Sequence, residues 1–285
     1  MNPMVKTTPT ILWTTLLGAL CTQTIVWGSL VRPAIAYPSN GDVIIQNQPS
    51  PWLIAFDPPQ RGVPGRRYGG GTRGEVCADY ASLISLIPVS TMGLTAHEKP
   101  QLFFYLPVAS RDTPIKLLVT KLPDSESPET EEIVIYRTEF QLDMENPGIV
   151  GIDLADLDGF PGLEVNQYYH WYLTILCDPV NQSVNPIVDG WIKRIDLDSD
   201  QILTLEGLNG SDRLKFYTEK TLWYDMVAAF SELLSDNRRD TEVQQAWLEL
   251  LRSENLEQAG RNQVRLYEQP FIPGSGGLRN QLRSD

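Results

Sequence analysis

His97 and His170 are the only imidazoles in this 285-residue chain, and they sit in different settings. His97, in Thr95-Ala-His-Glu-Lys-Pro100, reads as a loop residue, and no serine or cysteine has an identifiable pairing with it. His170 lies inside Tyr169-His-Trp-Tyr172, a strong strand pattern where a hydrogen-bonded structural histidine is the default. No Gly-x-Ser-x-Gly elbow occurs, so nucleophilic catalysis has no visible apparatus and no catalytic residue is assigned. Carboxylates are plentiful enough for a glycosidase pair, but the separation such a pair needs is not written in a sequence.

The other chemically capable groups fall into four sets. Cys21 belongs to an N-terminal apolar run, which leaves Cys77 and Cys177; an even pair in an exported chain favours one disulfide, with two buried free thiols as the alternative. Closing a loop of about 100 residues would contribute about 4 to 5 kcal/mol in the chain-entropy picture. Arg61, Arg66, Arg67 and Arg73 make a basic patch around Gly69-Gly-Gly-Thr-Arg-Gly74, which lacks the Gly-Lys-Ser/Thr ending of a phosphate loop. These guanidinium groups can contact an anion or a partner, or pair with the protein's own acidic surface.

Asp153, Asp156 and Asp158 lie in the acidic stretch 121–164, whose only cations are Lys121 and Arg137. Asp196, Asp198 and Asp200 begin like a calcium loop, but Gln201 stands where the sharp turn needs Gly and Gly207 where the bidentate Glu belongs. Solvated surface carboxylates are therefore the main reading; no cofactor is expected, with weak calcium binding kept open. Tyr168, His170 and Tyr172 share one face of their strand and make an aromatic platform for a sugar ring or a protein, unless helices cover them.

Six runs predict the strands that would hold these groups: QLFFYLPV, IKLLVT, EEIVIYRTEF, GIVGIDL, QYYHWYLTILC and IVDGWIKRI, all rich in β-branched and aromatic residues. Tyr169, Trp171, Leu173, Ile175 and Cys177 fall on one face of the fifth by the period of two. After about residue 212 the period changes. Leu222, Trp223, Met226, Val227 and Phe230, then Val243, Trp247, Leu250 and Leu251, recur at spacings of three and four. Thr241 and Gln244 can form a capping box at the second helix, with Asp240 as a competing cap.

Lys6, an apolar run from Ile11 to about Val31, and the small-x-small triplet Ala34-Ile-Ala36 read as a signal peptide cleaved before Tyr37; an uncleaved anchor is the alternative. The chain carries 23 Lys+Arg against 36 Asp+Glu, which disfavours a free-standing binder of nucleic acid or anionic membrane.

Phe56-Asp-Pro-Pro-Gln-Arg-Gly-Val-Pro-Gly65, Gly69–Arg73 with Cys77, Leu94-Thr95, Phe104–Pro107, Pro147–Ile149, Tyr169–Tyr172, Cys177–Pro179 and Gly190–Arg194 together resemble DUF928, a family of exported cyanobacterial proteins classed as a domain of unknown function. The resemblance spans roughly 52–260. It implies a cyanobacterial envelope setting and supplies no catalytic residues.

The expected organisation is mainly β with a helical C-terminal part. It comprises a signal peptide (1–36), an extended Pro/Gly/Arg-rich arm (37–74), an immunoglobulin-like antiparallel β-sandwich (75–211), an αα-hairpin packed on it (212–262) and a flexible tail (263–285). The expected function is an exported, non-catalytic interaction module of the periplasm or secreted space. Its partner would be an envelope protein or glycan, with no nucleic acid and no membrane span once the signal is removed. An envelope enzyme acting on glycans through paired carboxylates, or a structural component of an envelope assembly, is the alternative.

Overall fold

In a computed structural model, residues 65–69, 75–108, 113–123, 131–142, 145–236, 239–258, 264–273 and 278–282 are described, and all fall in one unit, 47–285. The expected signal peptide and most of the expected arm, and with it Arg61 and Arg73, lie outside the described residues.

The strands are β1 (Ile84–Ser85), β2 (Met92–Thr95), β3 (Gln101–Leu106), β4 (Pro114–Lys121), β5 (Ile133–Leu142), β6 (Gly148–Asp153), β7 (Tyr168–Ile175), β8 (Ile187–Arg194), β9 (Phe271–Pro273) and β10 (Leu278–Leu282). They form a four-stranded sheet, β1-β3-β6-β9, and a six-stranded sheet, β10-β5-β4-β7-β8-β2. All six runs picked out by period and composition are strands. In β7 the inward set Tyr169, Trp171, Leu173 and Ile175 is buried, and Trp171 meets Phe104 of the other sheet edge to face at 5.3 Å. A shared apolar core between the sheets follows from that alternation.

The expectation of an antiparallel sandwich needs correction, because both sheets are mixed. β2 runs parallel to β8, and β9 runs parallel to β6. Each short strand is separated from its partner by a long stretch of chain, so no hairpin dictates its direction.

The helical part also starts earlier than expected and holds more than a hairpin. α1 (Ser199–Gly207) and α2 (Gly210–Glu219) precede α3 (Trp223–Asp236) and α4 (Thr241–Ser253). Asp198 is the N-cap of α1: it accepts from Gln201 N at 2.8 Å while Gln201 reciprocates in a capping box. The Asp-x-Asp-x-Asp run is thus a helix start. At α4 the competing cap wins, with the Asp240 carboxylate accepting from Glu242 N and Val243 N at 3.1 and 3.2 Å.

α3 packs against β2, β3 and β9 and is pinned by its first turn. Trp223 Nε1 donates to Leu86 O (2.9 Å), Trp171 Nε1 donates to Tyr224 Oη (2.9 Å), and Tyr224 Oη donates to Trp191 O (3.0 Å). Gly93 makes this contact feasible, since a Cβ there would stand 2.6 Å from the Tyr224 ring. Trp247 of α4 packs between Phe230 and Phe271 at 5.4 and 5.2 Å. The expected flexible tail therefore contributes two edge strands, one to each sheet.

Candidate functional site

The outward side of β7 is closed by a polar network. His170 is 4% exposed, stacked on Trp191 at 4.0 Å and tilted against Tyr172 at 4.1 Å. Its Nδ1 faces Glu132 Oε1 and its Nε2 faces Asp189 Oδ2, each at 2.9 Å. Tyr172 Oη donates to Glu132 Oε2 at 3.0 Å, Thr120 Oγ1 donates to the same oxygen at 2.6 Å, and Arg66 pairs with Asp189 at 3.4 Å. Burial alone would raise the Glu132 carboxyl, yet hydrogen bonds from Thr120 and His170 hold it below the ordinary carboxylate range. Burial and the Glu132 charge together push the Tyr172 phenol upward.

The Tyr168, His170, Tyr172 face is consequently no flat exposed platform. His170 lies beneath its partners, Tyr172 is half-buried, and Lys193 Nζ sits 4.8 Å over the Tyr168 ring.

The second histidine stands in the open. His97, on the loop between β2 and β3, directs Nδ1 at Asp225 Oδ1 of α3. Asp225 is buried, and its carboxylate also accepts from Thr95 Oγ1 and Ala96 N, both at 3.0 Å. The hydrogen bond to the Asp225 carboxylate raises the His97 pKa above its ordinary value, against a smaller opposing effect of burial. Beside them is a cleft of about 200 Å³ lined by Lys99, Asp153, Arg213, Tyr217 and Glu232. Burial pushes Tyr217 up to about 12. No serine, threonine or cysteine lines this cleft among the described residues.

A larger groove of about 620 Å³ runs between α4 and the segment Tyr267–Phe271. Trp247 and Phe271 form its apolar floor, Tyr267 its exposed aromatic wall, and Gln245, Gln269 and Arg252 its polar rim. The sequence pointed elsewhere for aromatics. Tyr267 and Phe271 fall in a stretch that lacks any period, and only the return of the chain to β6 brings them beside Trp247.

The remaining predicted groups have structural surroundings. Cys77 and Cys177 are paired, with Cα atoms 5.6 Å apart, and Asn185 Oδ1 lies 3.6 and 3.4 Å from their sulfurs. Arg67 is buried beside β1 and donates from Nη2 to Glu254 O, 2.7 Å, at the C-terminal end of α4. Asp153 caps the short turn that follows β6, accepting from Ala155 N at 2.8 Å. Asp156, Asp158, Asp196 and Asp200 join no cluster: among the described residues, no group of three or more His, Cys, Asp or Glu is placed to hold a metal ion. No helix there is long and apolar enough to cross a membrane.

A mixed β-sheet pair with a C-terminal helical layer and a cross-linking disulfide defines the class. The sequence profile described as Domain of Unknown Function (DUF928) matches residues 68–264, and the chain belongs to that family. No curated protein matches it.

Proposed function

We propose that this protein is an exported, non-catalytic binding module of the cell envelope, and that the groove between α4 and Tyr267–Phe271 receives a glycan. The composition of that groove carries the reading: an aromatic floor and wall suit the apolar faces of sugar rings, while Gln245, Gln269 and Arg252 offer donors and acceptors to hydroxyls. On this view the sheet pair serves as a stiff frame, much as in immunoglobulin-like binding domains. A disulfide suits an oxidising compartment, and the apolar N-terminal run supports export into the periplasm or beyond.

The test is calorimetric titration of the oxidised protein with a panel of neutral and acidic oligosaccharides. The expected result is saturable binding with Kd in about the micromolar to millimolar range, weakened at least about tenfold by Tyr267→Ala or Gln245→Ala. Absence of binding across the panel, or binding indifferent to both substitutions, overturns the reading.

A further inference from the structure

The cleft beside His97 is built from four separate parts of the chain: the β2–β3 loop, the end of β6, α2 and α3. Its lining carries charges of both signs, Arg213 and Lys99 against Asp153 and Glu232. Arg213 lies near enough to both His97 and Tyr217 to act on their ionisation, and its Nε is buried with no hydrogen-bond partner among the described residues. Two carboxylates share the cleft, Asp153 near enough to act on His97 and Glu232 near enough to act on Tyr217. Asp153 already accepts from Ala155 N and from Gln101 Nε2 at 3.1 Å, but a carboxylate has about four acceptor positions. Glu232 is exposed at the rim.

A plain oxyanion would satisfy Arg213 and Lys99 while meeting repulsion from Asp153 and Glu232. A plain cation would meet the converse. A molecule carrying a carboxylate one carbon away from an ammonium satisfies both sets, and a volume of about 200 Å³ accommodates one small molecule of that kind. His97 is suited to the boundary between the sets. Asp225 fixes its Nδ1, so Nε2 is left facing solvent or ligand, and the ring cannot rotate away without abandoning that bond.

We infer that the cleft is a binding site for a free α-amino acid, with the ligand carboxylate on the Arg213 guanidinium and its ammonium between Asp153 and Glu232. Arg213 offers two parallel N–H donors to a carboxylate, and Lys99 adds a point charge at the mouth. The site is separate from the groove proposed for glycans, so either stands without the other.

The two histidines supply the readout. In imidazole C–H NMR spectra of the oxidised protein, His97 reports the cleft, and buried His170 reports the integrity of the fold. A panel of free α-amino acids with charged, polar, aliphatic and aromatic side chains is titrated, with acetate and ethylamine as controls. At least one amino acid is expected to shift the His97 signal saturably, with Kd of about a millimolar or below and at least about tenfold tighter than either control. Arg213→Met must abolish the shift while His170 keeps its position. Glu232→Gln, at an exposed site, must weaken the amino acid and leave acetate unaffected. The assignment is overturned if no amino acid shifts His97, if acetate binds as well as the best amino acid, or if Arg213→Met retains the response.

Discussion

His170 and His97 each meet a buried carboxylate, yet they occupy opposite ends of what a histidine can do in a fold. His170 has both ring nitrogens engaged, by Glu132 and Asp189, and both ring faces covered, by Trp191 and Tyr172. His97 has one nitrogen tied to Asp225, a side chain that is 54% exposed, and a cleft beside it. The difference lies in what surrounds the pair. Where two strands and the segment before β5 close over the ring, polar groups are used up in holding one another. Where a loop meets two helices, the ring is oriented on one side and left available on the other.

Removing each imidazole in turn gives the sharpest contrast. His170→Ala leaves buried Asp189 and half-buried Glu132 without their shared partner, and orphaning a buried hydrogen-bonded charge in this way costs about 2 to 3 kcal/mol. Equilibrium denaturation in urea measures it. A loss below about 1 kcal/mol would place His170 among ordinary surface groups and erase the comparison.

A smaller effect is expected at Gly93, which lies on the helix side of β2. Gly93→Ala drives a methyl into the Tyr224 ring, and overpacking of this kind costs about 1 to 3 kcal/mol. Because Tyr224 and Asp225 are neighbours on α3, the substitution should move the His97 NMR signal more than that of His170. Equal movement of both would mean that the two regions are mechanically coupled.

The smallest effect concerns pH. Asp225 raises the His97 pKa above 6.5. With the folded value above the unfolded one, the pair's contribution to stability is full below pH 6.5 and fades as pH rises through the elevated folded value. His97→Gln should therefore cost more at about pH 5.5 than at about pH 8.5. The cost should stay within about 1 kcal/mol because the ring is half-exposed. A pH-independent cost would show that Asp225 holds the loop through Thr95 and Ala96 alone.

Much of the frame was legible because periodicity reports burial directly. The alternation in Tyr168–Cys177 fixed which residues of β7 face the core, and the three-and-four spacing of Leu222–Phe230 located α3. Other parts were hidden for identifiable reasons. β2, in Met92-Gly-Leu-Thr95, and β9, in Phe271-Ile-Pro273, are too short to show a period and carry Gly or Pro, and parallel pairing leaves no turn signal. Asp225 lay within an apolar helical stripe, 128 residues from His97, where nothing in sequence joins them. Glu132 was one carboxylate in an acidic run, distinguished only by the β5–β4–β7 register that brings it beside Thr120 and His170. The Arg/Gly segment was visible as a basic patch, but its use in holding Asp189 and the end of α4 depends on a β-bridge between Tyr68 and Ile84.

β9 completes the edge of the four-stranded sheet beside β6, and β10 completes the edge of the six-stranded sheet beside β5. Both layers therefore wait on residues 271–282 during synthesis. A chain emerging in N-to-C order can form the inner strands first, while β6 and β5 still present unpaired backbone. That interval is when association with another copy is most favoured, because a bare strand edge is a template for any extended segment. The last strands cover β6 and β5 and hand the outer edge to two short segments, three residues in β9 and five in β10, which offer a smaller template than the strands they cover.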